Sequence, residues 1–95
     1  MTVAYPTSPR PTPGDPSRIP HLTPRERQVL ILIGKAASNR EIGQQLGITE
    51  RTVKAHLANL MTKIEVATRI EAAIFAYAHH HDISPPDGSI PVDRS

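Results

Sequence analysis

Ser38 to Leu60, SNREIGQQLGITERTVKAHLANL, decides the fold of this chain. Ser38 is placed to cap a helix, Glu41 three residues on completes a capping box, and Ile42 and Leu46 supply an apolar face one turn apart. Gly47 stops that helix, and Ile48 plugs the turn. Thr49 is a second N-cap, opening a helix that runs to about Ile64. Two short helices set at an angle by a turn at Gly47 form the shape that carries a helix into DNA.

Working upstream, Thr23 followed by Pro24 and Glu26 combines an N-cap, a proline at the first helical position and the glutamate of another capping box. This predicts a helix whose buried face is Val29, Leu30, Leu32 and Ile33, ending between Gly34 and Ala36. The second helix is expected from Asn39 to Leu46 and the third from Glu50 to Ile64. Downstream, Thr68 and Glu71 form a third box for a fourth helix, ending near His79. Three capping boxes and no alternating β-type pattern make the fold class all-α, a four-helix domain.

The chain has 95 residues, and its ends differ in composition from its middle. Six prolines (Pro6, Pro9, Pro11, Pro13, Pro16, Pro20) and few apolar residues predict a flexible Pro-rich arm over 1–20. The folded domain is expected over 21–80. From His81 the sequence is again polar and broken by Pro85, Pro86, Gly88 and Pro91, which predicts a flexible tail over 81–95. A domain of some 60 residues buries a modest core and is marginal alone.

With no cysteine there is neither a disulfide framework nor a thiolate metal site, which is compatible with a reducing compartment. No apolar run approaches the ~20 residues of a membrane span, and the N-terminus lacks the apolar core of a signal peptide. A soluble, intracellular protein is expected. Formal net charge is +2. Between His21 and Ala78, eight basic residues (Arg25, Arg27, Lys35, Arg40, Arg51, Lys54, Lys63, Arg69) stand against five glutamates, and this middle region suits a polyanion.

On the third helix Val53, Leu57, Leu60 and Ile64 recur at spacings of four, three and four, and so face the core. The opposite face carries Arg51, Ala55, Ala58, Asn59 and Thr62, with Lys54 on its flank. Small residues permit close approach to base edges while Arg, Lys and Asn supply hydrogen-bond donors. An ordinary solvated face has the same composition, so the residues alone leave both readings open.

Taken in order, Leu22-Thr23-Pro24-Arg25-Glu26-Arg27-Gln28-Val29-Leu30, Ser38-Asn39-Arg40-Glu41-Ile42, Leu46-Gly47-Ile48-Thr49-Glu50-Arg51-Thr52-Val53-Lys54-Ala55-His56-Leu57, Lys63-Ile64, Val66, Arg69 and Ala72 closely resemble the LuxR-type helix-turn-helix domain of GerE-, FixJ- and NarL-like bacterial regulators. The resemblance spans His21 to Ala78. It implies a four-helix DNA-binding domain that controls transcription, dimeric on inverted-repeat sites, with its third helix in the major groove.

By position, Lys54, Ala55 and Ala58 correspond to base-contacting residues, and Arg51 on the same face joins them. Ser38, Asn39, Arg40, Thr49, Thr52, His56 and Asn59 lie where phosphate contacts are made. Three positions depart from the family pattern. Ala36 and Glu65 stand where glycine is common, so differently shaped helix ends are expected there, and Ala58 replaces longer polar side chains, leaving it contact with a thymine methyl.

The fourth helix shows two apolar stripes. Ile70, Ala73, Ile74 and Tyr77 suit the core, which leaves Ala72, Phe75, Ala76 and His79 as the expected dimer interface, with Phe75 at its centre. The partners implied are double-stranded DNA, a second copy of the chain in solution or on DNA, and RNA polymerase, in the bacterial cytoplasm and on the nucleoid when bound.

His79, His80 and His81 do not make a metal site, because consecutive histidines at a helix end cannot all point inward and no cysteine or carboxylate shell completes them. No cofactor motif, glycine-rich phosphate loop or nucleophile with a base partner is evident, so no enzyme is expected. An alternative function is a helix-turn-helix protein-interaction module acting on RNA polymerase or another regulator; region 4 of sigma factors has a similar helical pattern. The arm is too short for a receiver or small-molecule-binding domain. The chain is then a stand-alone regulator or the DNA-binding part of a longer protein, and Met1 favours the former.

Overall fold

Thr23 Oγ1 accepts the Glu26 N–H at 3.1 Å and the Thr23 N–H donates to Glu26 Oε1 at 2.9 Å, closing the capping box that opens α1 (Pro24–Gly34). In the computed structural model, which describes residues 12–84, four further helices follow: α2 (Asn39–Leu46), α3 (Glu50–Ile64), α4 (Arg69–Ala78) and the short α5 (His80–Ile83). Ser38 and Glu41 close the same box at α2, with N–H to oxygen distances of 3.0 and 2.8 Å. Thr49 Oγ1 accepts the Thr52 N–H at 3.0 Å. The third expected box is shifted: Thr68 caps the Glu71 N–H, but the Glu71 carboxylate takes the N–H of Ala67, one residue earlier. The all-α class holds, and no strand occurs among the described residues.

The ends of α1, α2 and α3 share one device. Gly47, Ala36 and Glu65 all take left-handed backbone, with φ of 72°, 66° and 64°. In each case the next residue's N–H reaches back five residues: Ile48 to Gly43 O, Ala37 to Leu32 O and Val66 to Met61 O. This satisfies carbonyls that the helix leaves unpaired and tucks an apolar residue against the domain. The ends at Ala36 and Glu65 are therefore not reshaped by the loss of glycine, contrary to expectation.

Between α2 and α3 the chains approach closely. A Cβ at Gly43 would lie 2.7 Å from the Ile48 carbonyl oxygen, so this buried position excludes a side chain without backbone movement.

The core lies around α1, which packs against both α3 and α4, while α2 packs against α3. Five consecutive residues, Val29 to Ile33, are buried. An amphipathic reading misses Ile31 because α1 is covered on several sides, by the C-terminal α5 as well as by α3 and α4. Val53, Leu60 and Ile64 supply the buried stripe of α3, with Leu57 packed at its margin.

The two stripes of α4 are exchanged relative to expectation. Ala72, Phe75 and Ala76 are the buried ones, Phe75 at 0% exposure, while Ile70 (72%), Ile74 (44%) and Tyr77 (83%) face solvent. Gly34 explains part of this. Its site would bring a Cβ to 2.8 Å from Ala76 Cβ, so α1 and α4 meet through their smallest residues. His79 also turns inward, its ring 4.7 Å from that of Phe75 and its Nε2 buried without a hydrogen-bond partner.

The expected arm over 1–20 becomes ordered structure before its end. Pro16–His21 form a 3-10 helix capped by Asp15, and Ile19 is buried. The physical reason lies in α3, whose last carbonyls need donors. Asp15 N–H donates to Ile64 O at 2.8 Å and Arg18 Nε to Lys63 O at 3.2 Å. The expected tail is likewise corrected at its start, because α5 buries Ile83 completely. Arg27 of α1 holds both segments, donating through Nη2 to Ile19 O and through Nη1 to Ile83 O, each at 3.3 Å. The remainder of the expected arm and tail, 1–11 and 85–95, lies outside the described residues.

Candidate nucleic-acid interface

Because Val53, Leu60 and Ile64 turn one face of α3 inward, the helix period directs Arg51, Lys54, Ala55, Ala58, Asn59 and Thr62 outward, and all six are exposed. Ala55 and Ala58 leave the middle of this face low. Thr62 is less available than its exposure suggests, since its hydroxyl donates to the Ala58 carbonyl at 3.1 Å.

The cations of this surface form no ion pair with Glu41 and Glu50, the acidic residues in the first turns of α2 and α3. Among the described residues the ion pair formed is Lys63 with Glu26, and Arg40, Arg51 and Lys54 are held in none. Arg40 and Arg51 lie in the first turns of α2 and α3, whose N-terminal N–H groups carry positive partial charge. An anion is the natural complement of such a surface.

The expected phosphate contacts differ in what they have left to offer. Ser38 and Thr49 are exposed at the two helix starts, and both side-chain oxygens are engaged as caps. Thr49 also donates its hydroxyl to Thr52 Oγ1 at 3.0 Å, which leaves the Thr52 hydroxyl hydrogen as the outward donor of the pair. Asn59 is exposed, His56 is half-buried on α3, and Asn39 is half-buried with its Oδ1 accepting from Arg69. Asn39, Arg40 and Ser38 cluster at one end of α2, and Thr49, Arg51 and Thr52 at the start of α3.

Sequence reading assigned no separate role to Arg69. Its guanidinium spans from α4 to the start of α2, donating to Asn39 Oδ1 at 2.6 Å and to Ala37 O at 2.7 Å. A signal was present: a cation at the first position of a helix opposes the helix dipole, so its charge is used elsewhere.

The dimer set expected on α4 is not a surface. Ala72, Phe75 and Ala76 are core, and the solvent-facing apolar residues are Ile70, Ile74 and Tyr77. Of the three histidines, His80 and His81 are exposed and meet edge-on at 5.8 Å. No group of three His, Cys, Asp or Glu side chains able to hold a metal occurs among the described residues, and no helix there is long and apolar enough to cross a membrane.

Two packed helices, a left-handed turn at Gly47 and a basic outer face on the second helix define a helix-turn-helix domain. The family described as bacterial regulatory proteins, luxR family, matches residues 20–76, and the chain belongs to it. It is 44% identical over 64 residues to the transcriptional regulatory protein LiaR of Bacillus subtilis, an alignment covering 65% of this chain and 30% of LiaR. It is 46% identical over 59 residues to the response regulator protein VraR of Staphylococcus aureus and to that of Staphylococcus epidermidis, covering 62% of this chain and 28% of each. The chain thus spans less than a third of the length of these curated relatives.

Proposed function

We propose that this chain is a sequence-specific double-stranded DNA-binding regulator of transcription, with α3 in the major groove. The observation that carries this reading is the outer face of α3: Arg51 and Lys54 without ion-pair partners beside the low surface of Ala55 and Ala58. Lys54 and Arg51 supply donors for guanine acceptors, and the alanines admit thymine methyl groups. Ser38, Asn39, Arg40, Thr49, Thr52, His56 and Asn59 seat the domain on the flanking phosphates, setting register without reading sequence.

Two copies act together in this reading, joined through the exposed Ile70, Ile74 and Tyr77 of α4. Dimers place two recognition helices on half-sites about one helical turn apart, and linked binding raises affinity well above that of one domain. The regulator works in the bacterial cytoplasm, on the nucleoid.

Selection from random duplex DNA tests the proposal. The expected result is an enriched inverted repeat whose binding weakens with salt, log K falling by about 0.9 per neutralised phosphate for each unit of log salt. No enriched motif, with tight capture of an RNA polymerase subunit instead, would support the protein-interaction module and overturn DNA readout.

A further inference from the structure

Arg69 begins α4, yet its side chain serves α2. The half-buried guanidinium donates through Nη1 to Asn39 Oδ1 at 2.6 Å and through Nη2 to Ala37 O at 2.7 Å. Ala37 immediately precedes the Ser38 cap, and Asn39 is the first residue of the helix. One planar fork therefore grips both sides of the α2 N-terminus.

The grip fixes the chemistry of Asn39. A guanidinium has donors alone, so the amide must turn its oxygen toward Arg69; the reverse orientation would set NH2 against N–H. With Oδ1 occupied, the Nδ2 hydrogens are what Asn39 has left to give. They stand at a helix start where the backbone N–H groups of Asn39 and Arg40 have no intrahelical acceptor. Three donors are thus gathered where the DNA-binding reading places a phosphate.

We propose that Arg69 is a positioning residue for phosphate binding: anchored on Ala37 O, it holds Asn39 with its amide hydrogens outward, while touching no phosphate itself. This rests on the duplex-binding reading above. Lysine does not replace it, because an ammonium lacks the rigid two-pronged geometry that reaches both acceptors at once.

The test uses the full chain and the duplex its own selection yields. Arg69→Gln, Arg69→Lys and Asn39→Ala should each weaken binding about tenfold, the scale of one hydrogen bond to a charged group. The Arg69→Gln/Asn39→Ala double variant should lose no more than Asn39→Ala alone, since Arg69 acts through Asn39. A merely structural Arg69 gives losses that multiply in the double variant, and that outcome overturns the proposal. So does wild-type affinity in Arg69→Gln.

A measurement on the unsubstituted chain guards against variants that fail to fold. The Asn39 side-chain amide resonances should shift when the duplex is added, and unmoved resonances in a chain that binds overturn the assignment. A parent chain that binds no duplex overturns the DNA-binding reading itself; a binding parent with indifferent Arg69 variants overturns this inference only.

Discussion

Lys63 Nζ lies 2.8 Å from Glu26 Oε1, tying the last turn of α3 to the first turn of α1. The Glu26 carboxylate is buried, and the oxygen that meets Lys63 also accepts the Thr23 N–H, so one atom serves a helix cap and an interhelical bridge. Burial raises the Glu26 pKa, but the Lys63 ammonium and the Thr23 N–H outweigh it and hold the carboxyl below its usual range.

The sign of the pH effect follows. A carboxyl with a lowered pKa in the folded state contributes stability that is full above its unfolded value, about 4.3 for glutamate, and is lost as pH falls through the folded value. Lys63→Met removes the ammonium and leaves the burial, so Glu26 takes up its proton at higher pH. The stability lost on acidification should shrink, giving a shallower acid limb, and stability at neutral pH should fall by about 1 to 3 kcal/mol. Circular dichroism from pH 7 downward reads both; coincident acid limbs in parent and variant would refute the linkage.

Glu65 and Ala36 hold left-handed backbone that L-residues adopt at a cost of about 1 to 2 kcal/mol. Glycine removes that cost and returns part of it through a more mobile unfolded chain. Glu65→Gly and Ala36→Gly should each stabilise the domain by about 0.5 to 1 kcal/mol, raising Tm by a few degrees. Calorimetry showing a lower Tm in both variants would mean that these turns carry no strain.

Phe75 and Tyr77 are two residues apart and should behave oppositely. Phe75 is buried against Val66 and Gly14, so Phe75→Glu places a charge in the core and forfeits about 3 to 5 kcal/mol of packing besides, which should unfold the domain. Tyr77→Glu should stay folded and sediment as a monomer where the parent is a dimer. A parent that is monomeric both free and on DNA would eliminate the proposed α4 interface.

Ile19 ties the segment before α1 to the core. Ile19→Ala should lower stability by about 2 to 4 kcal/mol, as expected for truncating a buried aliphatic side chain. An unchanged denaturation midpoint would show that the 3-10 helix contributes nothing and that the segment behaves as the extended arm its prolines suggest.

These contrasts mark where the sequence was readable. Capping boxes and the Gly47 turn are local chemistry, so the starts of α1 to α4 and the outward face of α3 follow from residues three or four apart. The face of α4 was not local. Ile70, Ile74 and Tyr77 look like the better core stripe by size, and the choice of Ala72, Phe75 and Ala76 is made by α1, where Gly34 accepts Ala76 at close range. The same applies at Gly14 to His21, where proline content suggested an open arm and the unpaired carbonyls of Lys63 and Ile64 supplied a docking place instead. Arg69 and Arg27 escaped a defined role because Asn39 and the Ile83 carbonyl, which they reach, lie on segments distant in sequence.

Lys54 is the sharpest probe of the DNA-binding reading. It is exposed, lies on the flank of the α3 outer face and forms no ion pair among the described residues, so Lys54→Ala should leave the fold and its Tm nearly unchanged. If its ammonium meets a guanine, the variant should bind the selected site about 1 to 3 kcal/mol more weakly and lose preference at one base position per half-site. If it meets a phosphate, binding weakens uniformly across sequences and the salt slope drops by about one. Competition binding against single-base site variants, repeated at several salt concentrations, separates the two; unchanged affinity, preference and slope together would remove Lys54 from the interface.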